Sequence, residues 1–385
     1  MKPFDVYPLM QVTPVRAEGV YLWDEGGNRY LDLYGGHAVI SVGHSHPHFV
    51  ASLRNQLEKI AFYSNSVRIP LQTEFATKLG QLSGYESYDL FLCNSGAEAN
   101  ENALKLASFR TGKAGVIAFK GAFHGRTSGA VAVTDNPKIV APFNAGHRVF
   151  FEEMGDLEAV EHRLKTEEIA AILIESIQGV NGIHVAPPDF LQGLSALAKK
   201  YDACFILDEV QAGYGRTGKF FAHQWTAGLE PDLIPIAKGM GNGFPIGGVL
   251  IHPDFQARHG LLGTTFGGNH LASAAGLAVL EIIEQEDLME NAIQQGDFLT
   301  EALATEFPAI SSVRGKGLII GFDLREEAAP FRSKLVKNHR IFTGSAASKE
   351  TIRLLPPLGI QRSDLQEFLS SLKQVTEQKA DPIKP

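Results

Sequence analysis

Residues 205–220 read FILDEVQAGYGRTGKF. With Cys204 in front, four apolar residues run straight into Asp208 and Glu209, and the chain then dissolves into glycines around Arg216. An uninterrupted apolar run of this length, without alternation, reads as a strand buried on both faces, as in a parallel sheet. The glycine-rich continuation reads as an irregular loop. A carboxylate at the end of such a strand needs a cationic or hydrogen-bonding partner, because burying it alone is costly.

The same rhythm extends in both directions. DLFLCN precedes EANENALKLASFR, AAILIES precedes PDFLQGLSALAKKY, and GVIAF and DLIPIAK are further short apolar runs. Strands bounded by helices in this order predict an α/β fold with a largely parallel sheet covered on both faces. Upstream, GVYLWDEGGNRYLDL carries two alternating stretches around a Gly-rich turn, a hairpin signal, and a helical pattern starts from His48 behind Pro47. From Leu271 the pattern is helical as far as Phe307, then strand-like in RGKGLIIGFDL, then helical in SDLQEFLSSLKQVTEQ. The expected division is an N-terminal segment 1–47, a large domain 48–274 and a C-terminal α+β domain 275–385, ending in a frayed QKADPIKP tail.

The chain of 385 residues exceeds the size at which one hydrophobic core stops growing. A net charge of -8 argues against nucleic acid or an anionic membrane as the main partner, and no apolar stretch is long enough to span a bilayer. Cys93 and Cys204 lie inside apolar runs, as reduced thiols of a cytoplasmic protein would. Small molecules are the expected partners.

In open parallel sheets, ligands collect beyond the carboxyl ends of the strands. The residues there are Asn94 to Ala97, Glu175, Asp208 with Glu209, and Lys238. In NSGAEANENALKL a strand passes through Ser95, Gly96 and Ala97 into a helix, where unpaired N–H groups and the helix dipole attract an anion. The same letters also fit a plain capping box. Lys238 ends the run LIPIA, so burial would lower its pKa and leave an amine able to form a Schiff base. An Asp for a pyridinium nitrogen, a Schiff-base lysine and an anion cradle together describe pyridoxal 5'-phosphate. The Asp208 attraction would be about 4 kcal/mol at about 4 Å and an effective dielectric near 20.

Two other motifs read as structure. Gly213–Lys219, GYGRTGK, matches a nucleotide-binding loop until Phe220 replaces the hydroxyl residue that would hold magnesium. His44, His46 and His48 alternate around Pro47 without a companion cluster of metal-ligating residues, which favours a helix entry over a metal site.

Nine stretches in order, YLDLYGGHAVISVGHSHP, NSGAEANENALKLA, AFHGRTSGAVAVT, ILIESIQGVNGI, LDEVQAGYGRTGKFFA, PDLIPIAKGMGNGFPIGG, TTFGGNHLASA, VRGKGLIIG and IRLLPPL, resemble the class III pyridoxal-phosphate-dependent aminotransferases. Within that family the resemblance is to the acetylornithine, succinylornithine and ornithine group. It implies a fold type I enzyme with a mainly parallel seven-stranded sheet, a smaller α+β domain, and a homodimer with shared active sites. By resemblance Lys238 carries the cofactor, Asp208 meets its ring nitrogen and Gln211 its phenolic oxygen. Val210 and Phe123 would sandwich the ring. Ser95, Gly96 and Ala97 would hold the phosphate, joined by Thr265 of the other subunit. Arg126 and Arg353 resemble the two carboxylate clamps, and His37 and Glu175 would line the substrate site. The implied reaction moves the terminal amine of an N-acylated ornithine, foremost N-acetylornithine, to 2-oxoglutarate, as in arginine biosynthesis. The alternatives are N-succinylornithine, or an ornithine or 4-aminobutyrate aminotransferase or an aminomutase of the same fold.

The chain departs from its relatives at Val180 in ESIQGVNGI, where the family has a glutamate that neutralises the arginine matched by Arg353. Water, a nearby acid or a donor with an extra carboxylate is expected to meet that arginine instead. His37 and His270 also depart.

Overall fold

The computed structural model describes residues 1–377, so the QKADPIKP tail lies outside the described residues. At its centre is a seven-stranded sheet in the spatial order 89–93, 247–251, 233–236, 204–208, 169–175, 115–119, 149–152. Cys204–Asp208 pairs parallel with Ile169–Glu175 on one side and with Leu233–Ile236 on the other, which makes it the interior strand that its composition predicts. Only Gly247–Ile251 runs antiparallel to its neighbours.

The alternation of side chains along Cys204–Asp208 explains the two covered faces. Phe205 and Leu207 pack with Phe190, Leu191 and Leu194 of the helix Pro188–Lys200. Cys204 and Ile206 pack with Ala99, Ala103 and Leu106 of the helix Gly96–Thr111. Each such fully buried large side chain stabilises the fold by about 1.5–3 kcal/mol.

Two strands on this sheet carry no signal of the kind described above. Val149–Glu152 is a four-residue, half-buried edge strand, and Gly247–Ile251 begins with two glycines directly behind a Gly/Pro-rich loop. The strand-like piece RGKGLIIGFDL is in fact a hairpin: Ile310–Lys316 and Ile319–Leu324 turn at Gly317, whose φ of 54° suits a residue without Cβ. Thr351–Leu354 pairs with Ile319–Leu324 and places Arg353 opposite Gly321. The helix His270–Gln285 straddles the expected 274/275 division, and Leu288–Glu306 follows after a break at Asp287.

At the N-terminus, Tyr21–Asp24 and Arg29–Asp32 form the expected hairpin, closed by Asp24 Oδ1 accepting from Asn28 N at 2.8 Å. Arg29–Asp32 also pairs parallel with Ile341–Phe342 of the C-terminal part. Pro47 is the first residue of the helix Pro47–Lys59, and the three histidine rings beside it face three different carboxylates: Asp32, Glu286 and Glu281. Among the described residues no helix is long and apolar enough to cross a membrane.

Candidate active site

Strands 89–93, 169–175, 204–208 and 233–236 end at one side of the sheet, and a cavity of about 400 Å³ opens there. Its lining includes Ser95, Gly96, Ala97, Phe123, Arg126, Glu175, Asp208, Val210, Gln211 and Lys238. Ten of the thirteen singled-out residues thus meet in one place. His37, Arg353 and Thr265 are outside its lining.

The Asp208–Glu209 pair faces two ways. Glu209 is 1 % exposed and is consumed structurally: its oxygens accept from Ala222 N, His223 N and His223 Nδ1 at 2.9, 2.9 and 2.8 Å, which ties down the loop after Phe220. Asp208, 3 % exposed, lines the cavity. Its Oδ1 accepts from Val210 N at 2.9 Å, and its Oδ2 accepts from Asn100 Nδ2 at 2.8 Å and faces His124 Nδ1 at 2.7 Å. These three contacts fix the orientation of the buried carboxylate. Asn100 and His124 escaped the sequence reading, although both lie in quoted stretches. The arginine of the false nucleotide motif is structural too, since buried Arg216 donates to the carbonyls of Leu318 and Pro356 at 3.0 and 2.8 Å.

Lys238 opens a short 3₁₀ turn at φ 42°, a conformation uncommon for a residue with a long side chain and characteristic of functional positions. Burial lowers its ammonium pKa, Asp208 and Glu175 oppose that shift, and Arg353 adds to it. The amine is therefore more readily neutral than an ordinary lysine's. Burial pushes the Glu175 carboxyl pKa up, against the pull of His124; Asp208 pushes it further, and the N–H groups of Phe123 and Gly179 hold it at 3.0 Å each.

At the cavity wall Ser95 caps the helix Gly96–Thr111, its hydroxyl accepting from Glu98 N at 3.2 Å. The capping reading therefore holds, and it leaves the first N–H groups of the helix without a side-chain partner. The first intrahelical bond is Ala99 N to Ser95 O at 3.0 Å, so the N–H groups of Gly96 and Ala97 precede it and have no helical acceptor. A Cβ on Gly96 would stand 2.6 Å from Val210 Cγ1, so the backbone approach requires glycine. Two buried polar atoms close by, Gln211 Oε1 and His124 Nε2, have no partner.

Arg353 is 3 % exposed, and its donors are met by backbone rather than by an acid. Nη1 donates to Gly179 O at 3.0 Å, and Nε donates to the Ser345 carbonyl. Among the described residues no acid pairs with Arg353 in place of the missing glutamate; the carbonyls of Gly179 and Ser345 accept from it. His37 borders the cavity through its carbonyl, which accepts from Gln211 Nε2 at 3.1 Å. Thr265 is exposed in the loop before His270.

Fold and site together place a buried lysine, a hydrogen-bonded aspartate and a helix N-terminus around one cavity of an α/β protein. The family profile for aminotransferase class-III matches residues 5–376. An acetylornithine aminotransferase of Archaeoglobus fulgidus is 41% identical over 364 residues, 94% of each chain. One of Bacillus subtilis is 38% identical over 377 residues, 96% of each. Among solved structures, the acetylornithine aminotransferase of Elizabethkingia anophelis superposes with a TM-score of 0.84 at 31% identity, over 97% of this chain and 96% of that one. The ornithine aminotransferase of Toxoplasma gondii gives 0.89 at 27%, over 97% and 92%. The chain belongs to the class III aminotransferases and is a transaminase.

Proposed function

We propose that the protein is a pyridoxal-phosphate-dependent aminotransferase that moves the terminal amino group of an N-acylated ornithine to 2-oxoglutarate. The products are the N-acylglutamate semialdehyde and glutamate. N-acetylornithine, the substrate named in its relatives, is the reference donor, and arginine biosynthesis is the setting. The observation that carries this reading is the convergence of Lys238, Asp208 and the Gly96–Ala97 cradle on one cavity of about 400 Å³. That size lies within the usual range for small-molecule sites.

The cavity's chemistry fits the cofactor. Asp208 would hold the ring nitrogen, Gln211 the phenolic oxygen through its unpartnered end, Phe123 and Val210 the ring faces, and Ser95 to Ala97 the phosphate. When bound, the cofactor supplies a carbonyl for the amine and a ring that withdraws electrons from the neighbouring carbon. Asn100 and His124 hold the Asp208 carboxylate in orientation. Lys238 Nζ, made less basic by burial, would take a proton from the carbon bearing the nitrogen and deliver one on the opposite, cofactor side of that nitrogen. Arg126, exposed at the cavity mouth, receives a substrate carboxylate. Glu175 pins the Phe123 and Gly179 loops together, which sets the carbonyl that Arg353 uses. The donor carbon is oxidised by two electrons and the 2-oxoglutarate carbon is reduced by two, so no outside oxidant is needed.

A homodimer completes the site in this reading, with Thr265 of the partner subunit joining the phosphate cradle. Phe266 beside it and Phe62 stand exposed with ring centroids 5.4 Å apart, a ready apolar contact for a second copy. A cytoplasmic location accompanies this reading.

The direct test is glutamate formation from N-acetylornithine and 2-oxoglutarate by yellow holoenzyme. Free ornithine, 4-aminobutyrate and N-acetylornithine as parallel donors separate the sister activities, and absence of glutamate with N-acylated donors refutes the assignment. Gly96→Ala should weaken cofactor binding about tenfold or more, because its methyl group meets Val210 at 2.6 Å. Titration of the apoenzyme measures this, and an unchanged Kd would count against the cradle.

A further inference from the structure

The loop 213–219 follows the strand that ends in Asp208 and folds back on itself, with Gly215 N donating to Phe220 O at 3.1 Å and Gly218 N to Gly215 O at 2.9 Å. It is wedged into the C-terminal part of the chain. A Cβ on Gly218 would stand 2.2 Å from Ile293 Cγ1, and one on Gly317 would stand 2.7 Å from Arg216 O. Arg216 is the middle residue of this loop. Its Nη1 donates to Leu318 O at 3.0 Å and to Pro356 O at 2.8 Å, and its own carbonyl accepts from Leu318 N at 2.9 Å. Leu318 precedes the strand Ile319–Leu324, and Pro356 follows Thr351–Leu354, the strand that carries Arg353.

The segment 355–358 is also held from its other side. Leu358 N donates to Ser41 O at 2.7 Å, and the Ser41 hydroxyl donates at 2.6 Å to the carbonyl of Gly239, the residue after Lys238. Asn242 Oδ1 accepts from Ser41 N at 2.9 Å and from Val42 N at 3.1 Å. A closed circuit of buried contacts therefore runs from the Asp208 strand through Arg216 to Pro356, on to Leu358 and Ser41, and back to the turn that presents Lys238. Arg353 is carried inside this circuit, and its charge reaches Lys238, whose pKa it lowers.

Arg216 is 2 % exposed, and burial lowers its pKa to about 10 with no acid among the described residues to offset the shift. A buried cation is an unfavourable way to fill space, because apolar side chains of similar volume can often replace buried charged groups without loss of stability. A guanidinium nitrogen does what they cannot: its two N–H groups, at a fixed angle, set the directions of two carbonyls at once.

We propose that Arg216 and Ser41 are positioning residues of amino transfer, which together fix where Arg353 stands relative to Lys238 and Asp208. This rests on the aminotransferase reading above, with Arg353 as a carboxylate clamp. Neither residue lines the cavity, so both act through the residues they hold. Cofactor contacts come from the seven-stranded sheet and its helix, on the near side of the joint. The substrate that depends on Arg353 is therefore the one that senses a loosened circuit. 2-Oxoglutarate brings two carboxylates and needs both Arg126 and Arg353, whereas N-acetylornithine brings one.

The test measures KM for 2-oxoglutarate and for N-acetylornithine with holoenzyme, and the cofactor Kd by titration of the apoenzyme. Arg216→Met should raise KM for 2-oxoglutarate by about tenfold or more, the scale expected when a clamp is displaced by about 1 Å. KM for N-acetylornithine and the cofactor Kd should stay close to wild type. A guanidinium that only filled the joint would on removal change all three together, or change melting alone. Arg216→Lys, which can reach one of the carbonyls, should keep part of the 2-oxoglutarate affinity. Ser41→Ala removes one hydroxyl from the opposite side of the circuit; it should raise KM for 2-oxoglutarate a few-fold, and it serves if Arg216→Met does not fold. An unchanged KM for 2-oxoglutarate in whichever variant folds overturns the proposal, as does a cofactor Kd that rises in step with that KM. If the wild type forms glutamate and the variants show no such split, the joint falls and the aminotransferase reading stands. If the wild type forms none, that reading falls first and the joint with it.

Discussion

Lys238→Ala should lower kcat by about four orders of magnitude, the upper range for removing a positioned proton-transfer group, with the loss of covalent attachment added. The lysine is the one singled-out amine in the cavity, and the turn that presents it holds a left-handed backbone at φ 42°. A fold that only tolerated a lysine there would have no reason to store that strain beside Asp208 and Glu175. Steady-state glutamate formation reads the effect, and the visible spectrum should change with it. Residual turnover within tenfold of wild type would mean that another group moves the proton.

Asp208→Asn should reduce kcat about a thousandfold. The carboxylate's attraction for a cation at about 4 Å is about 4 kcal/mol at an effective dielectric near 20. If the chemistry draws on most of that, the barrier rises by the equivalent of about three decades. The amide also disturbs the donors that now converge on Oδ2, Asn100 Nδ2 and His124 Nδ1, at 2.8 and 2.7 Å. One of them loses its acceptor, or the amide turns its own N–H groups toward them, so the variant should also lose about 1–3 kcal/mol of stability. Thermal melting and kcat measured together separate the two effects. Wild-type kcat in a destabilised variant would leave Asp208 a structural acid only.

The sequence exposes the parts of this site that sit where a regular pattern ends. Asp208, Lys238, Glu175 and the Ser95–Ala97 turn each close an apolar run, and the packing of a parallel sheet brings such ends to one edge. The residues that orient them leave no local trace. Asn100 and His124 reach Asp208 across 108 and 84 residues of chain, and neither distance is written in any periodicity. Arg332 sits on a helix ahead of Lys334 and Lys337 with nothing in the local pattern to set it apart, until the fold lays Thr343 beside it. Gly247–Ile251 fails for a different reason. Its two leading glycines look like loop, yet they are required where the strand passes Ser95 and Phe91: a Cβ on Gly247 would lie 2.6 Å from Ser95 O, and one on Gly248 3.0 Å from Phe91 O. Val180 shows the reverse limit. The missing acid was legible, but the carbonyls of Gly179 and Ser345 that meet Arg353 were not.

The most direct measurement is borohydride reduction of the holoenzyme followed by peptide mapping. The pyridoxyl group should be recovered on Lys238, in the peptide that contains LIPIAKGMGNG. Recovery on any other lysine, or on none, would contradict the assignment of this cavity as the site of amino transfer.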